Sequence, residues 1–198
     1  MLFRSTWHVV PLFMLLLTLD PHPAAAAENG DASSAAAADK LARGKYLVTV
    51  AVCNDCHTPL KEGPNGPEPD MNRMLSGHPE NLVMPPAPTL PEGPWLAAFA
   101  ATNTAWSGPW GVSFTANLTP ESETGLGKWT LRTFTDTIRT GRHMGRGRVI
   151  LTPMPIPMYK YFTDADLDAI FSYLQSIPAI KNRVPEPRPP AAPLAAAR

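Results

Sequence analysis

Proline sets the outer limit on what this chain can fold into. There are 24 prolines among 198 residues. Each fixes φ and has no backbone N–H to donate, so a run such as Pro85-Pro86-Ala87-Pro88 is neither helix interior nor central strand. Residues 59–127 are also rich in Gly, Asn and Thr. The pattern predicts short helices joined by long, stiff loops, with residues 95–101 as the one stretch in that region apolar enough for a short helix. The length suits one well-buried domain. Charged residues make up 17% and the formal net charge is zero, which argues against nucleic acid or a membrane surface as a bulk electrostatic partner.

Three helices are expected. The first begins at Asp39, a capping residue, and runs to about residue 52, with Leu41, Tyr46, Leu47 and Val50 on roughly one face. The second runs over residues 130–140, capped by Thr130 and closed by Gly141, with Leu131, Phe134 and Ile138 facing the core. The third has the clearest signals. Thr163 caps it, Asp164 and Asp166 oppose the positive end of the helix dipole, Leu167, Ile170, Phe171 and Leu174 repeat at helical spacing, and Pro178 ends it.

The N-terminal 27 residues read as a secretory signal: Arg4, an apolar run over residues 9–19, and small residues through Ala27 that suit a cut before Glu28. That run is too short to span a bilayer. Residues 28–38 read as a disordered leader, 39–184 as the domain, and 185–198 as a Pro/Ala-rich tail. A periplasmic location follows.

The chain has two cysteines, and both fall in Cys53-Asn54-Asp55-Cys56-His57. A structural disulfide and a thioredoxin-like redox pair can both use Cys-x-x-Cys, but neither needs the histidine that follows. Covalent haem attachment does. The two-residue gap matches the spacing of the haem vinyl groups, and the adjacent His57 reaches the iron from the same turn. The flanks also lack the βαβ pattern of a thioredoxin-like fold.

A second axial ligand would be thioether or imidazole. Beyond His57, the residues after position 27 hold His78 and His143 and six methionines: 71, 74, 84, 144, 154 and 158. Position favours Met154, in Leu151-Thr152-Pro153-Met154-Pro155-Ile156-Pro157-Met158, where the prolines hold an extended loop just before the third helix. Met158 is the runner-up. Met144 lies in a Gly/Arg-rich turn, and His143 better suits a helix C-terminus or solvent.

Several stretches together resemble one family. These are Arg43-Gly44-Lys45-Tyr46-Leu47 and His57-Thr58-Pro59; Asn117-Leu118-Thr119-Pro120-Glu121 and Thr124-Gly125-Leu126-Gly127-Lys128-Trp129-Thr130; Arg139-Thr140-Gly141, Pro153-Met154-Pro155, and Thr163-Asp164-Ala165-Asp166-Leu167 running into Tyr173-Leu174. The chain resembles bacterial periplasmic cytochromes c related to the cytochrome subunits of membrane-associated alcohol and aldehyde dehydrogenases. The resemblance spans residues 40–184 and is weakest over 64–116. It implies an all-α, cytochrome c-like fold with a long Pro/Gly/Trp-rich insertion between the haem motif and the second helix. It also implies Met154 as distal ligand, and a close crossing of the first and last helices at Gly44, with Tyr173 and Leu174 packed there. Family subunits often carry two or three haem motifs. One motif here fits a stand-alone, single-haem relative.

The expected protein is therefore an electron carrier rather than an enzyme. It would hold one covalent haem c with His57 and Met154 on the iron, and its redox partners would be a periplasmic dehydrogenase and a cytochrome or oxidase acceptor. A five-coordinate haem enzyme or gas sensor is the alternative, and it requires Met154 and Met158 both to lie away from the iron. Charge is uneven along the chain: residues 28–127 hold 11 acidic and 5 basic side chains, and residues 128–198 the reverse. Arg139, Arg142, Arg146 and Arg148 form either a solvated turn or a docking patch. The tryptophans at 95, 106 and 110 suit either a cover over the cofactor or a partner surface.

Overall fold

A computed structural model describes residues 24–190, with side chains from residue 32 onward. It divides into two units, Met1–Ala35 and Ala36–Arg198. In the first, only the beginning of helix α1 (Ala24–Val50) is described; the expected signal sequence lies mostly outside the described residues. Residues 28–38, expected to be an unstructured leader, are helical as part of α1. Their alanines carry the highest intrinsic helix propensity, which outweighs the lack of an apolar stripe.

The second unit corrects the all-α expectation. Short helices α2 (Cys53–His57), α3 (Leu131–Thr140), α4 (Ile156–Tyr159) and α5 (Asp164–Ser176) are accompanied by five strands in two antiparallel sheets. Strands β1 (Leu60–Gly63) and β2 (Gly66–Pro69) form a hairpin, while β3 (Ala98–Phe99), β4 (Ala105–Gly108) and β5 (Gly111–Phe114) form a three-stranded sheet. The fold is mixed α and β. Proline did not exclude strands because β2 is an edge, where Pro67 and Pro69 need donate nothing to a further neighbour. The hairpin turns at Pro64-Asn65, and Gly66, which opens β2 opposite Gly63, takes a φ of 107° that a side chain disfavours. The short helix expected over residues 95–101 is instead strand β3 with irregular flanks.

The caps of α3 and α5 form as expected. Thr130 accepts from the Thr133 N–H, Thr163 accepts from the Asp166 N–H, and Gly141 closes α3 at φ 66°. Phe134 and Ile138 from α3, Leu167, Ile170 and Leu174 from α5, and Leu47 and Val48 from α1 meet in one buried cluster with Leu75 and Leu126. The inward face of α1 is Gly44, Leu47 and Val48; Tyr46 and Val50 are exposed. The helix turns Gly44 inward because only a residue without Cβ fits there. An added Cβ would lie 2.0 Å from the Ala169 carbonyl oxygen and 2.7 Å from Tyr173 Cβ. The expected crossing at Gly44 is therefore present, flanked by Lys40–Asp168 (2.7 Å) and Arg43–Asp166 (2.9 Å) ion pairs.

Candidate haem-attachment site

The five motif residues are helix α2. Val52 enters it at φ 53°, a left-handed turn that separates α1 from α2. Thr58 closes it, its N–H on the Asn54 carbonyl and its hydroxyl on Asn54 Oδ1 at 2.9 Å, and the same hydroxyl accepts from the Leu75 N–H at 2.9 Å. The segment following the 3₁₀ turn Met71–Arg73 is thereby fastened to the end of the motif. A second tie runs from Asn103 Nδ2, which donates to the Asp55 carbonyl at 2.7 Å and links the β3–β4 turn to α2.

Both cysteines are half-buried free thiols. Burial pushes the Cys53 thiol up to about 11 and also raises Cys56. They are thus protonated at neutral pH, whereas a reactive Cys-x-x-Cys redox pair depends on a lowered thiol pKa. His57 is buried, with Nδ1 2.8 Å from the Ala116 carbonyl oxygen. A carbonyl only accepts, so Nδ1 carries the proton and Nε2 keeps its lone pair. Burial lowers the imidazole pKa, with the Ala116 bond opposing it, so the ring is neutral. Two thiols and a neutral imidazole with a free Nε2 on one short helix fit a covalent haem: the sulfurs would hold the macrocycle, and Nε2 has the donor chemistry an iron needs.

The two other histidines among the described residues, His78 and His143, are otherwise engaged. His78 is buried, with Nδ1 on Thr104 Oγ1 and Nε2 on the Leu82 carbonyl, both at 2.9 Å. His143 lies in a 3₁₀ turn, edge-on to Trp129 at 5.5 Å, and Gly141 rather than His143 closes α3. Of the two favoured methionines, Met154 is half-buried and packs on the central cluster, as Cys53 does. Met158 is 69% exposed. Met74 also packs on that cluster, while Met71 and Met144 are exposed. The proline-held loop is extended only in part: Pro157 sits in the first turn of α4, where its missing N–H costs nothing.

Tyr159 carried no signal in the sequence, yet its hydroxyl donates to the Ala51 carbonyl and its ring packs on the same cluster. The basic turn is partly neutralised. Arg139 pairs with Asp164 at 2.6 Å and Arg148 with Glu186 at 3.0 Å, whereas Arg142 and Arg146 form no ion pair among the described residues. Trp95 is exposed, Trp106 stacks on Phe99 at 4.8 Å, and Trp110 folds back over Gly108.

The chain resembles the cytochrome subunits of bacterial dehydrogenases. It is 25% identical over 153 residues to the fructose dehydrogenase cytochrome subunit of Gluconobacter japonicus, a match covering 74% of this chain and 24% of the relative. It is 30% identical over 81 residues to the cytochrome c subunit of a quinone alcohol dehydrogenase of Gluconobacter oxydans, covering 39% and 17%. It is 31% identical over 77 residues to a nicotinate dehydrogenase subunit of Pseudomonas putida, covering 39% and 6%. The chain therefore spans a quarter or less of the curated relatives it matches. No protein-family model matches it. Among the described residues, no helix is long and apolar enough to cross a membrane.

Proposed function

We propose that this chain is a single-haem, periplasmic electron-transfer protein, with thioethers at Cys53 and Cys56, His57 and Met154 as axial ligands, and cleavage before Glu28 on export. On this reading it passes electrons from a periplasmic dehydrogenase to a cytochrome or oxidase acceptor. The observation that carries the proposal is the His57–Ala116 bond, which fixes the tautomer and leaves Nε2 as donor. A haem bound here supplies one-electron chemistry at iron. The chain would hold it by the two sulfurs and by His57, whose imidazole Ala116 orients, and Met154 would offer a thioether, a donor that favours the reduced metal. With His57 and Met154 as its two protein donors, such a haem would carry electrons rather than take up a substrate. The dehydrogenase subunits among the relatives support a dehydrogenase as electron donor.

A pyridine haemochrome spectrum tests attachment: one covalent haem per chain is expected, and its absence overturns the proposal. Met154→Ala tests the distal ligand through loss of the near-infrared thioether–iron charge-transfer band. Rapid, tight CO binding by the wild-type reduced protein would instead favour the five-coordinate alternative.

A further inference from the structure

Tyr159 joins two parts of the site that the chain order keeps more than a hundred residues apart. Its hydroxyl donates to the carbonyl of Ala51, a bond with a sequence separation of 108. Ala51 follows α1 directly, two positions before Cys53, and Val52 between them holds the left-handed turn into α2. At the other end, Tyr159 belongs to the single turn α4, which grows from the Met154 loop. The Met158 and Tyr159 N–H groups both donate to the Pro155 carbonyl, at 2.9 and 3.0 Å, and the Ile156 N–H donates to the Met154 carbonyl at 2.8 Å. The phenol thus connects the methionine loop to the attachment turn through one hydrogen bond and one helical turn. Its ring is held as well, against Phe162 at 5.4 Å and the cluster that Cys53 and Met154 both touch.

We propose that Tyr159 is a positioning residue for the distal ligand: its bond to Ala51 clamps the Met154 loop against the cysteine-bearing turn. This rests on the reading of His57 and Met154 as the iron ligands. A thioether is a weak, neutral donor, so its hold on a metal depends on how firmly its loop is placed. With the clamp released, an external ligand competes with Met154 more easily.

The test is imidazole titration of the purified holoprotein, followed optically, in wild type, Y159F, M154A and the double variant Y159F/M154A. Y159F is expected to bind imidazole about three- to tenfold more tightly than wild type, the size set by the loss of one hydrogen bond. Because the effect runs through Met154, Y159F/M154A should bind imidazole as M154A does. Tyr161→Phe, at an exposed neighbour, should match wild type. Replacing Tyr159 with p-aminophenylalanine, which keeps the ring and a donor, should restore the wild-type affinity. A purely structural tyrosine would lower the melting temperature and leave imidazole affinity alone, and that result overturns the proposal. So does an affinity gain that persists in the M154A background, or a Y159F chain that attaches no haem at all. If M154A itself binds imidazole no better than wild type, the ligand assignment fails, and does so separately.

Discussion

Gly44 and Ala169 meet backbone to backbone, and no side chain of any size fits between them. Gly44→Ala should therefore force α1 off α5 rather than merely tighten the contact. Overpacking of a rigid site costs about 1–3 kcal/mol or more, which for a domain of this size corresponds to roughly 3–10 °C in melting temperature. Differential scanning calorimetry of the variant checks this, and a change within 1 °C would show that the helices slide freely.

Asn182 is a fully buried hub. Its Nδ2 donates to the Ser76 and His78 carbonyls at 2.6 and 2.9 Å, and its Oδ1 accepts from Arg73 and from the Glu80 N–H, both at 2.9 Å. Asn182→Ala orphans all four partners, and one unsatisfied buried group costs about 1–3 kcal/mol. A loss of at least about 3 kcal/mol is expected by urea denaturation. Asn182→Asp should be comparably damaging, since it keeps the acceptor and gives up both donors.

Stability should also fall on the acid side through Glu121. Its carboxylate accepts from the Thr124 hydroxyl and N–H, both at 2.6 Å, and from the Glu123 N–H at 3.0 Å. The Thr124 hydroxyl first, with these N–H groups, holds its pKa down to about 2 from an ordinary 4.5. A depressed folded-state pKa adds stability that is full above 4.5 and is lost as pH falls from there toward 2. Glu121→Gln should therefore flatten the fall in urea midpoint over that window. An unchanged slope would remove Glu121 from the acid response.

Thr163 accepts from the Asp166 N–H at 3.1 Å as the cap of α5. Thr163→Ala should cost about 1 kcal/mol, and Thr163→Ser should recover most of it; equal melting temperatures for the two variants would deny the cap its role.

What the sequence made legible was local. Thr130, Gly141 and Thr163 mark helix ends because capping is a contact between near neighbours, and each forms as expected. The inward face of α1 was misread because hydrophobic periodicity has no way to register Gly44, whose contribution is the absence of a side chain. The strands were missed because they are two to four residues long, with proline in β2. The site divided in the same manner. Cys53, Cys56 and His57 announce themselves by spacing, but the group that orients His57 is the backbone carbonyl of Ala116, 59 residues away. Any residue at 116 presents that carbonyl. Tyr159 was hidden for a related reason, since its partner is the carbonyl of Ala51.

The reach of Asn182 bears on the order in which this molecule is assembled. Its partners lie 102 to 109 residues upstream, so contacts of that range close late in folding. Residues 73–80 stand behind His57 through the Gly77 N–H on its carbonyl; Thr58 and Thr104 hold Leu75 and His78, and the last buried anchor is added when position 182 has emerged. A chain synthesised or threaded from its N-terminus therefore presents Cys53, Cys56 and His57 well before that wall is fastened. On the proposed reading, attachment at the two sulfurs would meet a segment whose last buried anchor, Asn182, is still to come.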